Sequence, residues 1–101
     1  MQLIDNTGRN CGNFDGEAPA GYWLRPDEAP DSLTRLEFLD RFGAARFATV
    51  WRAMQADPLL AFSVMRGFAA ETVHLAVSFP ELKQMEAAGL VPAGTAIEIW
   101  S

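Results

Sequence analysis

The strongest constraint on the fold of this chain is the uneven placement of its helix-breaking residues. The first 31 residues contain seven glycines and prolines, and the following 70 residues contain only seven more. Glycine and proline both oppose a continuous helix, glycine by its backbone freedom and proline by its missing N–H. We therefore divide the chain into an extended, turn-rich N-terminal arm, residues 1–31, and a helical domain, residues 32–101.

Two short apolar runs interrupt the turns of the arm. They read MQLI at 1–4 and GYWL at 21–24, and each is short enough to be an edge-type strand. The two runs can pair with each other as a short β-hairpin or with a neighbouring chain. An isolated pair of strands is marginal in water, so we expect the arm to be ordered by what it packs against.

The first helices of the second region carry clear start and stop signals. Thr34 and Glu37 have the spacing of a capping box, which predicts that a helix begins there. Gly43 interrupts the apolar pattern, and a second helix is predicted from Ala44 to Ala56. Asp57 followed by Pro58 is typical of a new helix start.

A third, longer helix is predicted from about Leu59 to Ser78, and it is apolar around most of its circumference. Such a helix is normally buried within a bundle or between subunits, which indicates self-association or a docking partner. Pro80 is expected to open a fourth helix that ends before Gly89, and the chain is expected to finish in a short helix, Pro92 to Trp100. The predicted fold class is therefore all-α, a small bundle of four to five short helices.

Composition restricts the class of partner. The net charge is −5, and residues 1–31 alone carry −4, from six acids and two bases. No basic patch is visible, so we expect no nucleic-acid partner, and no uncharged run approaches the ~20 residues that would cross a membrane. Cys11 is the only cysteine, which rules out an internal disulfide. The first residues lack the basic-then-apolar order of a secretory signal.

Candidate catalytic residues are few. His74 is the only histidine, and Glu71 lies three residues before it, a spacing that fits a structural ion pair as readily as a dyad. Glu37 and Asp40 share a helix face but are flanked by arginines, as on a solvated surface. We predict no enzyme activity, no cofactor and no metal site, because one histidine and one cysteine cannot complete a zinc site.

Aromatic residues of the arm are the better candidates for a functional surface. Tyrosine and tryptophan are enriched at interface hot spots, so Phe14, Tyr22 and Trp23 are predicted to bind a partner. The alternative is that Tyr22 and Trp23 fold back on the helices as a lid.

Two sets of residues in the helical domain form a recognisable pattern. The segment that opens the domain carries Thr34, Arg35, Phe38, Leu39, Arg41 and Phe42. The closing segment carries Leu82, Glu86, Gly89, Leu90, Val91, Gly94, Ala96, Glu98 and Ile99. Through these residues, the region 32–101 resembles a loose group of small proteins encoded in the tail region of tailed bacteriophages and prophages. Two positions depart from the pattern: Thr95 replaces an arginine, and the segment around His74 is less acidic.

The resemblance implies a setting rather than an activity. It implies a virion component or assembly factor near the tail tip, baseplate or fibres, present in the virion or in the bacterial host cytoplasm during assembly. Its partners would be other tail, baseplate or fibre proteins and further copies of itself. The alternative is a small acidic regulatory or inhibitory protein that binds a host or phage protein.

Overall fold

The fold is mixed α/β, so the all-α bundle predicted from the sequence is wrong. The computed structural model describes residues 1–101 and contains five helices and five strands in two antiparallel sheets. In chain order these elements are β1 (Gln2–Ile4), β2 (Asn10–Asn13), β3 (Trp23–Arg25), β4 (Ser32–Thr34), α1 (Arg35–Phe42), α2 (Ala44–Ala56), α3 (Pro58–Phe68), β5 (Thr72–His74), α4 (Leu75–Ala87) and α5 (Thr95–Ile99).

Residues 1–31 form a three-stranded sheet with the order β2-β1-β3. The two apolar runs form strands that pair with each other, with Leu3 opposite Leu24, which is one of the two pairings considered. They do not form a hairpin, because β2 lies between them in the sequence. β2 is an additional edge strand that the sequence did not indicate, because its four residues are polar or small and all exposed. Its register with β1 is irregular, which limits further pairing at this edge.

This sheet packs on α4 through a few close contacts. Ile4 is fully buried, and the ring of Trp23 meets Phe79 edge-on at 5.5 Å. At the turn between β1 and β2, Gly8 lies so close to the first turn of α4 that an added Cβ would come within 2.8 Å of the carbonyl oxygen of Leu75. Gly8 also has φ of +80°, a conformation that favours glycine.

Arg25 anchors the other end of the sheet. Its side chain is fully buried, and Nη1 lies 3.3 Å from the exposed carboxylate of Asp31. A second guanidinium nitrogen donates to the carbonyl of Pro30, whereas Nε has no partner. Burial lowers the pKa of Arg25, and the nearby Asp31 carboxylate partly opposes that shift.

A second sheet joins two halves of the region that was predicted to be helical throughout. β4 and β5 are antiparallel, with Leu33 opposite Val73. The ladder continues beyond the strands, because Arg35 N donates to Glu71 O at 3.0 Å and Leu75 N donates to Asp31 O at 2.9 Å. Each strand therefore leads directly into a helix, β4 into α1 and β5 into α4.

The predicted third helix, Leu59 to Ser78, is wrong and comprises three elements. α3 ends at Phe68, the short β5 follows, and α4 begins at Leu75. Thr72 and Val73 are β-branched and favour the extended backbone that pairs with β4. Pro80 does not open a helix but lies inside α4, where it brings no N–H for the carbonyl four residues earlier.

The predicted starts of the first three helices are confirmed. Thr34 caps α1 in a complete capping box, since the Glu37 N–H donates to Thr34 Oγ1 at 3.2 Å and the Thr34 N–H donates to Glu37 Oε1 at 3.1 Å. Gly43 separates α1 from α2. Asp57 caps α3 by accepting from the N–H groups of Leu59 and Leu60.

The C-terminal segment closes the core. Gly89 ends α4 with φ of +75°, as predicted, and the final helix is shorter than predicted because it begins at Thr95. Trp100 is fully buried, and its indole N–H lies 3.3 Å from Ser78 Oγ of α4. Its ring also packs against Phe38 of α1 at 6.4 Å.

The carboxylate of Glu86 holds this segment to α4. It accepts hydrogen bonds from the N–H of Gly94 at 3.0 Å and of Ala96 at 2.9 Å, and it pairs with Lys83 at 3.0 Å. Burial would raise the pKa of Glu86, but the N–H of Ala96, the Lys83 ammonium and the N–H of Gly94 together lower it below its ordinary value.

Candidate functional site

The outer side of α3 is the most apolar exposed surface of the molecule. α3 contains no fully buried residue. Its inward residues Leu60, Val64 and Phe68 pack partly against the core. The outward side chains are Leu59, 81% exposed, and Phe62 and Met65, each 64% exposed. We call these three residues the α3 face.

A shallow groove on α2 adjoins the inner side of α3. It has a volume of about 410 Å³ and is lined by Ala44, Phe47, Ala48, Trp51 and Arg52. Phe47 stacks on Trp51 with ring centroids 6.2 Å apart and meets Phe68 of α3 at 5.9 Å. Ala44 and Ala48 lie one helical turn apart, so their small side chains leave the backbone of α2 accessible to a partner. We call this surface the α2 groove.

The charges of α2 and α3 differ from those of the rest of the chain. Residues 44–68 carry three arginines and one aspartate, a net +2 within a chain of −5. Arg46 is paired with Glu98 at 3.2 Å. Arg52 and Arg66 have no carboxylate within 4.0 Å, so both are available to an acidic group of a partner.

The residues predicted to bind a partner lie in the N-terminal sheet, away from the α3 face. Phe14 is half-buried just after β2, and Tyr22 is 39% exposed just before β3. Trp23 lies on the body of the protein, between Phe79 and the Lys83 ammonium, which sits 4.3 Å from the ring centroid. Trp23 therefore folds back onto α4, as the lid interpretation expects. Tyr22 remains exposed to solvent.

The residues considered for chemistry are dispersed. His74 is exposed at the end of β5 and forms no ion pair with Glu71. Glu37 serves the capping box, and the N–H and hydroxyl of Thr34 lower its pKa. Cys11 is exposed on β2. No group of three or more histidine, cysteine, aspartate or glutamate side chains is arranged to hold a metal ion.

Sequence reasoning indicated self-association or a docking partner from this apolar segment, but it did not single out the residues of the α3 face. Between residues 53 and 70 only Asp57 and Arg66 are charged. Such a low charge density is typical of a helix buried within a bundle, whereas the structure places the apolar side chains at the surface.

Comparisons with protein-family models, curated proteins and solved structures gave no match. None of the helices has the length and apolar character needed to cross a membrane.

Proposed function

We propose that the chain is a non-enzymatic structural or assembly protein of a tailed phage or phage-derived particle, and that it acts by docking to other proteins. The observation that carries this proposal is the unpartnered apolar surface of α2 and α3. Taking about 200 Å² for each large side chain when fully exposed, the α3 face exposes roughly 400 Å², and Trp51 of the α2 groove adds roughly 100 Å² on a separate surface. An apolar patch of about 400 Å² is of the size that is often a binding site on a monomer.

The phage setting rests on the sequence resemblance, whose closing residues work together in this fold. Glu86, Gly94 and Ala96 belong to that pattern, and the Glu86 carboxylate accepts hydrogen bonds from the N–H groups of the other two. The pattern is thus a signature of how the C-terminal segment folds. Thr34 of the opening pattern likewise acts as a helix cap.

The α2 groove suits a helix or loop from a tail, baseplate or fibre protein. Its lining is mostly apolar, and Arg52, which also lines it, forms no ion pair with a carboxylate of its own chain. Helix-in-groove binding uses such an apolar floor for affinity and the rim charges for orientation. A partner segment with apolar residues flanked by a carboxylate would satisfy both.

The test is whether the chain is part of purified particles from the cells that encode it, measured by quantitative mass spectrometry. Wild-type protein should be retained after washing in high salt. Trp51→Ser should be lost from the particles, because it removes the largest side chain of the groove. Val77→Ser is the matched control, since Val77 is 60% exposed on α4 and its variant should be retained. Absence of the wild-type chain from particles and from their assembly intermediates would overturn the proposal.

An acidic regulatory binder is the second candidate, and the exposed carboxylates of the N-terminal segment favour it. Asp15, Glu17, Asp27 and Glu28 are all exposed. Such a protein would bind a basic surface and lose affinity steeply as salt rises. Apolar docking through α2 and α3 would be retained at high salt, so the washing step above also separates these two functions.

A further inference from the structure

Three side chains of α4 lie in one row along the helix and contact two distant segments of the chain. Phe79, Lys83 and Glu86 have the spacing i, i+4, i+7, which places them on one face of a helix. Trp23 of β3 covers the first two, since its ring meets Phe79 at 5.5 Å and its centroid lies 4.3 Å from Lys83 Nζ. The C-terminal segment covers the third, because the carboxylate of Glu86 accepts hydrogen bonds from two of its N–H groups.

Lys83 belongs to both contacts. Its ammonium lies over the ring of Trp23 and also 3.0 Å from Glu86 Oε1, so one positive charge serves the ring and the carboxylate together. The side chain of Lys83 is 25% exposed and that of Glu86 only 7%. Water therefore screens this ion pair less than it screens the freely exposed pairs that contribute little to stability.

Both oxygens of the Glu86 carboxylate are engaged. Oε1 accepts from Lys83 Nζ and from the N–H of Gly94, and Oε2 accepts from the N–H of Ala96. The ammonium favours the charged form of Glu86, and a charged acceptor makes the stronger hydrogen bonds to the two N–H groups. The position of the Lys83 ammonium therefore affects how firmly the C-terminal segment is held.

We propose that Lys83 and Glu86 form a latch that couples Trp23 to the C-terminal segment, so that the two open together. The ring of Trp23 positions the ammonium on Glu86, and the charged carboxylate holds the N–H groups of Gly94 and Ala96. Coupling between two sites is reciprocal, so loosening at Glu86 also weakens the hold on Trp23. Trp23 is one of the residues predicted to bind a partner, and a partner that captures it would loosen the C-terminal segment.

A second route between the same two segments must be separated from the latch, because β3 also lies beside α5. Lys83→Met separates the two routes, since it keeps an apolar stem against Trp23 and removes only the charge. Coupling through the latch disappears in this variant. Coupling through the packing of β3 on α5 persists in it.

Amide hydrogen exchange of the full chain, followed by NMR, measures the coupling at the N–H of Ala96. Its rate is divided by that of the N–H of Val50, a fully buried core residue, which separates local opening from global unfolding. Trp23→Leu should raise this ratio about two- to fivefold, as for the loss of a cation–π contact. The same substitution should leave the ratio unchanged in the Lys83→Met background. Tyr22→Leu is the matched control and should have no effect.

The titration of Glu86 is a second measurement, which a purely structural role of Trp23 would not change. Followed by NMR at the carboxyl carbon, the pKa of Glu86 should rise in Lys83→Met, because the ammonium that favours the charged form is gone. It should rise in Trp23→Leu as well, whereas Trp23→Phe, which keeps an aromatic face, should restore most of the wild-type value. Tyr22→Leu should leave the pKa unchanged.

Glu86→Gln tests the reverse direction without altering Trp23. In the wild type, the ring should shift the NMR signals of the Lys83 Cε protons upfield, and this shift should decrease when the charge on residue 86 is removed. The proposal is overturned if Trp23→Leu leaves the exchange ratio or the pKa of Glu86 at the wild-type value. It is also overturned if the effect of Trp23→Leu persists in the Lys83→Met background, or if Glu86→Gln leaves the upfield shift unchanged.

Discussion

Replacing Gly8 by alanine should destabilise the protein more than the same replacement at any freely exposed glycine. Gly8 lies at the turn between β1 and β2, where an added Cβ would meet Leu75 O at 2.8 Å, Phe79 Cβ at 3.1 Å and Ala76 Cα at 3.3 Å. Two of these three atoms belong to the backbone of α4, so a simple rotamer change cannot relieve the overlap. The turn would have to move away from α4.

The matched control is Gly21→Ala. Gly21 has φ of +82°, close to the +80° of Gly8, but nothing lies within 4 Å of a Cβ built there. Both variants bear the left-handed backbone cost of about 1–2 kcal/mol, and both reduce the freedom of the unfolded chain similarly. The overlap at Gly8 adds about 1–3 kcal/mol, the usual cost of overpacking.

Equilibrium unfolding in urea, followed by circular dichroism and tryptophan fluorescence, measures the difference. Gly8→Ala should have a free energy of unfolding about 1–3 kcal/mol below that of Gly21→Ala, which corresponds to a melting temperature lower by about 4–8 °C per kcal/mol. Equal stabilities of the two variants would refute the close approach of the N-terminal sheet to α4. An N-terminal segment that unfolds in a separate, earlier transition would refute it as well.

Substitutions at three further positions test how the core and its ends are held. Trp100→Ala should cost about 3–5 kcal/mol in urea unfolding, because a fully buried indole is removed; a variant as stable as the wild type would show that the C-terminus is not part of the core. Glu86→Gln should lower stability at neutral pH by about 1–3 kcal/mol. Since the folded pKa of Glu86 lies below its ordinary value, its contribution is present at neutral pH and is lost as the pH falls through that lowered pKa, so the variant should lose less stability on acidification than the wild type. Arg25→Met should be nearly as stable as the wild type, because it removes a buried charge whose Nε has no partner and leaves the Asp31 carboxylate in water, whereas Arg25→Ala should be clearly destabilised by the cavity that it leaves; the reverse order would contradict the burial of Arg25.

Helix starts could be predicted from the sequence because their signals are local. Thr34 with Glu37, and Asp57 with Pro58, lie within a few residues of the N–H groups that they satisfy or replace. Gly89 is an equally local signal, since its positive φ ends α4. These positions depend little on the rest of the fold.

The β4–β5 sheet could not be predicted in the same way. Leu33 and Val73 are 40 residues apart in the sequence, and each strand has only three residues. Three residues are too few to show the alternation of a strand against the longer period of a helix. The apolar run from Leu59 to Ser78 therefore resembles one long helix, and the predicted bundle follows from that error.

The candidate site is obscured in the sequence for a different reason. The centre of an interface with another protein and a protein's own core are both rich in apolar residues. The sequence alone therefore leaves open whether Leu59, Phe62 and Met65 lie in the core or against a partner. Aromatic residue type singles out Tyr22 and Trp23 of the arm, but it does not reveal that Trp23 is engaged by the body of the protein.

Site-specific photo-crosslinking in the cells that encode the chain tests the docking account most directly. A photoreactive phenylalanine analogue at position 51, in the α2 groove, should give, on irradiation of assembled particles, an adduct between the chain and another particle protein. The same analogue at position 77, which is exposed on α4, should give none. An uncrosslinked chain at position 51 within intact particles, or equal adducts from both positions, would contradict the claim that the α2 groove is the surface by which this protein docks.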